Sequence, residues 1–270
     1  KIYIFLFLVI FLHYSLRLIE KELPKNSVIH NLDSRVKLIF VLMLVITSAI
    51  LNNIESVLLI WFYILFIILL SRISIINTIK RIILILPFGM FLAFFQPFVK
   101  GDTVIYTILG APIYYEGLLF GALLFSKFLV SITAIVFLSS TTPMHEVIIA
   151  GRRLGLPSIM ATMLGLMVRY LFIMYDILEN TLNSQKSRCL NRKNISYKSL
   201  LTIFGYSVGS LFIRSYEQGE RTYLAMTSRG YSENSNVASF GGKIKKIDIL
   251  FLIITIIFLI ILIIFNFINY

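Results

Sequence analysis

The chain has 270 residues, of which 58% are hydrophobic and only 14% are charged. A soluble domain would carry about a quarter charged residues, and several apolar runs here approach the roughly 20 residues that cross a bilayer. The composition excludes an ordinary soluble protein and predicts a polytopic membrane protein. The net charge of +12 fits basic residues concentrated in cytoplasmic loops, and the single Cys189 leaves no internal disulfide and no CxxC metal or redox pair.

The longest apolar runs define the predicted membrane helices. They are Leu38–Leu51, Val57–Leu70, Ile82–Val99, Gly117–Leu138 and Ile249–Ile268. The first two are short for perpendicular spans, so flanking residues or a bend must complete them. Residues 2–12 form another apolar run with no small-residue cleavage site after it, which favours a short first membrane segment over a signal peptide. The predicted fold class is all-α, with five to six membrane helices.

The polar separators between these runs alternate in charge. Basic residues crowd residues 17–37 and 72–81, whereas the loops at 52–56 and 100–116 carry almost none. The positive-inside rule places the basic separators in the cytoplasm and the C-terminus outside. The sequence therefore predicts three parts: N-terminal membrane helices at 1–139, a cytoplasmic domain of long amphipathic helices at 140–247, and a C-terminal membrane helix at 248–270.

A first long helix is predicted inside the cytoplasmic region. Pro157 suits a helix start, and residues from Met160 to Thr181 recur every three or four positions as one mainly apolar stripe. No helix breaker follows until about Ser187. A helix of about 30 residues would be roughly 45 Å long. Arg169 and two acidic residues make it an awkward membrane span, so we expect it to lie along or beneath the membrane.

A second long helix is predicted from Leu200 to Thr227. Its first half is apolar with small residues that permit close helix contact, and its second half places Glu217 four residues before Arg221 in the favourable acid-first order. The stretch GYSVG, Gly205 to Gly209, matches the G-x-S-x-G pattern of serine hydrolases. That pattern requires a strand–turn–helix elbow, so a continuous helix here favours helix packing over catalysis.

Each of these two helices ends in a loop with serine, arginine and a small residue. The two tripeptides are Ser187-Arg188-Cys189 and Ser228-Arg229-Gly230. One interpretation is that both arginines are ordinary basic residues on solvated loops. The other is that each guanidinium, a planar fork of five donors, docks into an acidic or carbonyl-lined groove of a partner, with small neighbours that allow close approach. Physical chemistry alone leaves both interpretations open.

Other chemistry has little support in the sequence. His13, His30 and His145 are far apart, and neither an HExxH motif nor a phosphate-binding loop is present, so we expect no catalytic residue, no metal site and no cofactor. Lys127 is the one ionisable residue well inside a predicted span. An intramembrane charge is a functional candidate, but a transport path needs partners, so contact with another helix is an equally good interpretation.

The segment RSYEQGERTYLAMTSRGY, Arg214 to Tyr231, resembles the C-terminal signature of the CbiQ-type T component of energy-coupling factor (ECF) transporters, the EcfT/CbiQ family. Three further segments agree, HNLDSRVKLI, TTPMHEVIIAGRRLGLPSIM and RYLFIMYDILE, so the resemblance covers roughly residues 24–235 in order. Such proteins are transmembrane scaffolds with crossed cytoplasmic coupling helices. X-Arg-X motifs at the tips of these helices dock into grooves of paired ABC-type ATPases.

The resemblance assigns roles to particular positions of this chain. The predicted ATPase-docking motifs are Ser187-Arg188-Cys189 and Ser228-Arg229-Gly230, with serine where the family usually has alanine. The first motif ends in cysteine and is the poorer match. The resemblance also implies four supporting residues on the coupling helices: Arg169, Arg214, Glu217 and Arg221.

The implied function is that of the non-enzymatic coupling subunit of an ECF-type ABC importer in a prokaryotic cell membrane. It would join two ATPase subunits to a substrate-binding membrane subunit, CbiM-like and with or without a CbiN-like subunit. The AMTSRGY form resembles the cobalt-transport branch, which implies Co²⁺ or Ni²⁺ as substrate. The alternatives are a T component for vitamins and, more distantly, a membrane-embedded enzyme, which the thirteen scattered acidic residues disfavour. A nucleic-acid partner is not expected, because the basic region lacks interleaved aromatic residues.

Overall fold

The structure is a computed structural model that describes residues 29–71, 75–99, 103–108, 111–188, 196–232 and 244–268. The chain divides into two compact units. One lies within Lys1–Ala150 and Gly241–Tyr270, and the other within Gly151–Phe240. The predicted first segment at residues 2–12 and Cys189 lie outside the described residues.

Eight helices and one β-hairpin make up the described residues. In chain order they are α1 (Ser34–Ile50), α2 (Ile54–Leu70), α3 (Ile75–Val99), β1 (Val104–Ile108), β2 (Ala111–Tyr114), α4 (Tyr115–Thr141), α5 (Met144–Arg153), α6 (Ser158–Ser187), α7 (Tyr197–Ser228) and α8 (Lys246–Ile268). Each of the five predicted apolar runs lies in a helix, and both long helices of the second unit lie within three residues of their predicted bounds. The prediction of an all-α membrane protein is confirmed.

Two elements were not predicted from the sequence. The strands β1 and β2 form a small antiparallel hairpin, in a segment that was read as a loop. Helix α5 is only ten residues long, too short for a clear apolar period. Its charges give a signal, since Glu146 lies in the first turn and Arg152 and Arg153 lie in the last. This is the arrangement that a helix dipole favours.

Helix α1 begins four residues before its apolar run because Asp33 caps it. The Asp33 carboxylate accepts a hydrogen bond from the Arg35 backbone N–H at 3.0 Å. Aspartate is among the preferred N-cap residues, and such a cap typically contributes about 1 kcal/mol. The capping residue thus sets where the helix starts, independently of where hydrophobicity rises.

The core of the first unit lies around α1. The Phe40 side chain is fully buried. Its ring lies 5.7 Å from that of Phe137 on α4 and 5.2 Å from that of Phe251 on α8, centroid to centroid. Ile60 and Ile64 of α2 belong to the same buried cluster. Helix α4 packs against α1, α2 and α3 and is the central element of the unit, and α8 packs against α1.

Four helices in the described part of the chain are long and apolar enough to cross a membrane, namely α3, α4, α6 and α8, and α2 is a shorter apolar helix. Helix α3 turns large apolar side chains outward, with Phe88, Phe91 and Phe94 each more than 60% exposed. An outward apolar surface of this kind matches a lipid environment. Helix α6 satisfies the same length and composition criteria although it carries an exposed Arg169.

The basic ends of the helices in the first unit lie together. The Lys37 ammonium at the start of α1 donates to the carbonyl of Thr141, the last residue of α4. The Arg81 guanidinium near the start of α3 donates to Ser140 Oγ at 3.1 Å. The start of α1, the start of α3 and the end of α4 therefore lie at one end of this unit, so α4 runs antiparallel to α1 and α3.

Candidate functional site

The two arginines singled out in the sequence occupy the same position relative to their helices. Helix α6 ends at Ser187 with Arg188 as its C-cap, and α7 ends at Ser228 with Arg229 as its C-cap. Both arginine side chains are exposed. Each arginine therefore directly follows the last residue of a long helix, of 30 residues for α6 and 32 residues for α7.

The second tip closes with a Schellman motif. The Tyr231 N–H donates to the Met226 carbonyl at 3.0 Å, and the Gly230 N–H donates to the Thr227 carbonyl at 2.9 Å. Gly230 has φ +78°, the left-handed conformation that this motif requires at the residue after the C-cap and that glycine adopts without steric cost. The sequence analysis explains Gly230 as a small residue that lets a partner approach closely. The structure shows a second role, because Gly230 also terminates α7.

The first tip is described up to Arg188. Its backbone N–H donates to the Ser184 carbonyl at 3.2 Å, which closes the last turn of α6. The third residue of the motif, Cys189, lies outside the described residues. The two tips therefore correspond at the serine and the arginine, whereas the third position can be described only at Gly230.

The serines of the two motifs bond within their own helices. The Ser187 hydroxyl donates to the Asn183 carbonyl at 3.0 Å, and the Ser228 hydroxyl donates to the Leu224 carbonyl at 2.8 Å. Back-bonding of this kind satisfies the hydroxyl locally. A serine in the position where the related motifs have alanine thus adds little outward polarity at either tip.

Helices α6 and α7 run antiparallel and are joined by two side-chain hydrogen bonds. Tyr170 on α6 bonds to Thr222 on α7, and the Gln185 amide donates to the Ser207 hydroxyl at 2.7 Å. The two bonds are fifteen residues apart on α6 and also fifteen residues apart on α7. The register of the two helices is therefore the same at both bonds. At 1.5 Å per residue this register separates the tip at Arg188 from the tip at Arg229 by about 37 Å along the pair.

A cleft of about 330 Å³ lies between α6 and α7 beside the second tip. Three arginines line it, Arg169 from α6 with Arg221 and Arg229 from α7. The other lining residues are Leu166, Tyr170, Gln218, Thr222, Ala225 and Met226. The cleft therefore combines three guanidinium groups with hydroxyl and amide groups, a composition suited to a carboxylate or another oxyanion.

The structure brings some predicted site residues together and leaves others apart. Arg169, Arg221 and Arg229 share the cleft, whereas Arg188 lies at the opposite end of the helix pair and Arg214 is exposed and does not line the cleft. Arg221 also lies 3.8 Å from Glu217, an exposed pair in the predicted acid-first order.

Residues of the cleft that sequence reasoning missed have a recognisable spacing. Gln218, Thr222 and Met226 recur every four residues on α7. This spacing places them on one helix face together with Arg229. This spacing is visible in the sequence, but it does not identify a site until the residues of α6 that face it are known.

The structure does not support the serine-hydrolase interpretation of GYSVG. GYSVG lies inside α7, so the strand–turn–helix elbow of a serine hydrolase is absent from this segment. The glycines were expected to permit close helix contact, but a Cβ added at Gly205 or Gly209 would meet no atom within 4 Å. Ser207, between them, makes the interhelical hydrogen bond instead.

Lys127 contacts another helix, as one interpretation of the sequence proposed. Its ammonium donates to the carbonyl of Ala49 at 2.9 Å. Ala49 lies in the last turn of α1, where carbonyls lack intrahelical partners and a cation is favoured by the helix dipole. In the described parts of the chain, no group of three or more His, Cys, Asp or Glu side chains is placed to hold a metal ion.

Comparison with known proteins decides the family. Residues 25–240 match the family described as CbiQ, cobalt transport protein. The chain belongs to the CbiQ family. This match covers the second unit and the first unit from residue 25 to Ala150, and it includes both arginine tips. The family resemblance noted in the sequence is therefore confirmed.

Curated relatives of this CbiQ-family chain agree. It is 29% identical over 246 residues to an uncharacterized protein of Methanocaldococcus jannaschii, covering 87% of this chain and 82% of the relative. It is 26% identical to the energy-coupling factor transporter transmembrane protein EcfT of Listeria innocua, covering 79% and 84%. The EcfT of Staphylococcus aureus is 27% identical, covering 83% and 87%. The CbiQ-family chain is thus similar to EcfT over most of its length.

Proposed function

We propose that this chain is the coupling subunit of an ECF-type ABC importer and that Arg188 and Arg229 are its contacts with two ATPase subunits. The observation that carries the proposal is the equivalent placement of the two residues. Both are exposed C-cap arginines, each at the end of a helix of 30 or 32 residues. Neither arginine is catalytic, because their role is to bind.

The separation of the tips supports two partners rather than one. The register of α6 and α7 puts Arg188 and Arg229 about 37 Å apart. A single groove that accepts one guanidinium cannot reach both tips. An ATPase dimer offers two equivalent grooves, one for each tip, and its closure on binding ATP would move both tips at once.

The arginine cleft supports an acidic contact at the second tip. Arg229 belongs both to the tip and to the cleft that Arg169 and Arg221 also line. A carboxylate entering the cleft can accept charge-assisted hydrogen bonds, and the planar guanidinium fork matches it bidentately. We therefore assign Arg169 and Arg221 a supporting role at this contact. The motif at the Arg188 tip is the poorer match to the family pattern, because it ends in Cys189.

The proposed orientation places the second unit in the cytoplasm. Its residues are strongly basic, and basic segments between spans stay on the cytoplasmic side. The exposed charges of α6, including Arg169, favour a helix outside the hydrocarbon core although its length would allow a span. In this arrangement ATP-driven closure of the ATPases pushes the two tips, and α6 and α7 tilt the substrate-binding membrane subunit.

The proposed substrate is Co²⁺ or Ni²⁺, held by a separate CbiM-like membrane subunit with or without a CbiN-like subunit. The support is the matched family, whose description is a cobalt transport protein, together with the form of the AMTSRGY segment. A T component that serves vitamin-binding subunits is the alternative, since the curated relatives named EcfT carry no metal in their names. The substrate-binding subunit that co-purifies from native membranes distinguishes the two.

The central test removes each guanidinium from the full transporter. Charged hydrogen bonds contribute about 1.5–3 kcal/mol each, so Arg188→Ala or Arg229→Ala should weaken ATPase binding by about 10- to 150-fold, and the double variant should lose metal uptake. Arg229→Lys keeps the charge but loses the bidentate fork, so it should bind with intermediate affinity.

Lys80→Ala is the matched control, because it removes an exposed positive charge outside the second unit. It should leave ATPase binding close to that of the unmodified protein. Normal ATPase binding and normal uptake in the double arginine variant would overturn the proposal.

A further inference from the structure

Two sequence segments that carry the family resemblance have no role in the docking of the tips. One is HNLDSRVKLI, which begins at His30, and the other begins TTPMHE at Thr141. They are separated by about a hundred residues. The structure brings them into contact in the first unit, around the side chain of Lys37.

Lys37 is buried, with only 1% of its surface exposed. Its ammonium donates to the His30 carbonyl at 3.0 Å and to the Thr141 carbonyl at 3.2 Å. Thr141 is the last residue of α4, so its carbonyl lacks an intrahelical partner and the cation lies at the negative end of the helix dipole. One side chain thus joins the turn before α1 to the end of α4.

Three carboxylates act electrostatically on the ammonium, those of Glu146, Asp248 and Asp33. Two of them make further links between segments. Glu146 on α5 accepts from the Ser34 hydroxyl at 2.6 Å, and Asp248 on α8 accepts from the Asp33 backbone N–H at 3.3 Å. The polar cluster around Lys37 therefore ties α1 to both α5 and α8.

The cluster lies where the chain leaves the first unit and where it returns. The second unit begins at Gly151, and Thr141 and Glu146 are just before it in the chain. Asp248 also accepts from the Lys245 backbone N–H at 2.7 Å, at the start of α8, which is the first described helix after the second unit. Both connections to the second unit are thus held by one buried cluster.

A buried cation is weak evidence for stability alone, because a well-packed apolar residue often serves as well. Lysine here does what an apolar residue cannot, since it bonds two carbonyls on separate segments while lying among three carboxylates. Its removal would leave the buried Thr141 carbonyl without this donor and the three carboxylates without this cation. The cluster is therefore suited to fixing the geometry of the two connections.

We infer that Lys37 is a positioning residue that holds the outgoing connection at α4–α5 and the returning connection at α8 as one unit, so that movement of the second unit acts on both membrane helices together. The inference rests on the proposed coupling function. It assigns to the first unit a role in transmission that is separate from ATPase docking.

The experiment compares Lys37→Met and Lys37→Arg in the complete transporter co-expressed with its ATPases and substrate-binding subunit. Three quantities are measured: the amount of assembled complex, ATP hydrolysis, and metal taken up per ATP hydrolysed. Lys37→Met should keep ATPases bound and hydrolysing ATP while uptake per ATP falls about tenfold or more. Lys37→Arg, which retains the cation, should recover a substantial part of that ratio.

A milder variant keeps the test decisive if Lys37→Met does not accumulate in the membrane. Ser34→Ala removes only the bond to Glu146 and should lower uptake per ATP by a few fold. Ser48→Ala is its matched control, because the Ser48 hydroxyl also lies on α1 but donates to the Val45 carbonyl of its own helix at 2.8 Å.

The outcomes separate this inference from the docking proposal. Unchanged uptake per ATP in assembled Lys37→Met, or in Ser34→Ala where Lys37→Met is absent, overturns the inference. A loss that merely follows the amount of complex overturns it as well, since that is the behaviour of a structural residue. Failure of the docking proposal would appear instead as normal ATPase binding by the double variant of Arg188 and Arg229.

Discussion

Replacement of Gly230 by alanine should loosen the second tip without touching its arginine. Gly230 has φ +78° and completes the Schellman motif that ends α7. Any residue with a Cβ pays about 1–2 kcal/mol in this left-handed conformation. The population of the closed tip relative to open forms should therefore fall by about 5- to 30-fold. Because Arg229 is the C-cap of the same motif, the backbone that holds its side chain would no longer be fixed.

The same substitution at Gly219 provides the control. Gly219 lies within α7, and a Cβ added there would meet no atom within 4 Å. Gly219→Ala should stabilise the helix by about 0.5–1 kcal/mol, the opposite sign from the effect at the tip. Gly230→Asn should be milder than Gly230→Ala, since asparagine tolerates the left-handed region better than most residues.

Two measurements check this prediction. Hydrogen exchange at the Gly230 and Tyr231 amides should accelerate in Gly230→Ala, because both N–H groups donate to carbonyls of the last turn of α7. Binding to the ATPase subunits should weaken by a similar factor, whereas Gly219→Ala should bind normally. Unchanged amide protection in Gly230→Ala would refute the claim that Gly230 keeps the end of α7 closed. Lost protection with unchanged ATPase binding would show that docking does not depend on a closed tip.

Two further predictions concern the membrane unit. Lys127→Met removes the bond to the Ala49 carbonyl and should lower the free energy of unfolding in detergent by about 1–2 kcal/mol, read as a lower melting temperature; an unchanged melting temperature would show that the cap is not needed. Gly121→Ala would place a Cβ 2.8 Å from the Ala93 carbonyl oxygen and should cost about 1–3 kcal/mol as α3 and α4 are forced apart, whereas Gly165→Ala, with no atom within 4 Å of its Cβ, should not lower the melting temperature.

The elements of this fold that could be predicted from the sequence are those with long, consistent patterns. The apolar stripe after Pro157 keeps helical spacing from Met160 to Thr181, and α6 ends at Ser187, where the sequence has its first helix breaker. By contrast, the start of α1 is set by one hydrogen bond to Asp33 and precedes the rise in hydrophobicity. Local capping chemistry is weak in a hydrophobicity profile, so the bounds of α1 were less well predicted than those of α6.

The cleft and the cluster around Lys37 could not be predicted because they depend on pairings between distant segments. Arg169 and Arg229 are sixty positions apart, and only the antiparallel register of α6 and α7 brings them to one cleft. A sequence pattern on one helix identifies a face, but the face becomes a site only when the opposing residues are known. The two exposed arginine tips needed no such pairing, and for that reason the sequence alone singled them out.

The two proposals together describe a single mechanical requirement. A push at the end of a helix reaches the other end only if the helix neither bends nor slides past its neighbour. The bonds Tyr170–Thr222 and Gln185–Ser207 resist sliding of α6 against α7, since they fix the register at two places about 22 Å apart. Motion at the tips can then reach the first unit through the two chain connections of the second unit. If those connections moved independently, part of the displacement would be lost as relative movement of α4 and α8, which is the loss that the proposed role of the cluster around Lys37 would prevent.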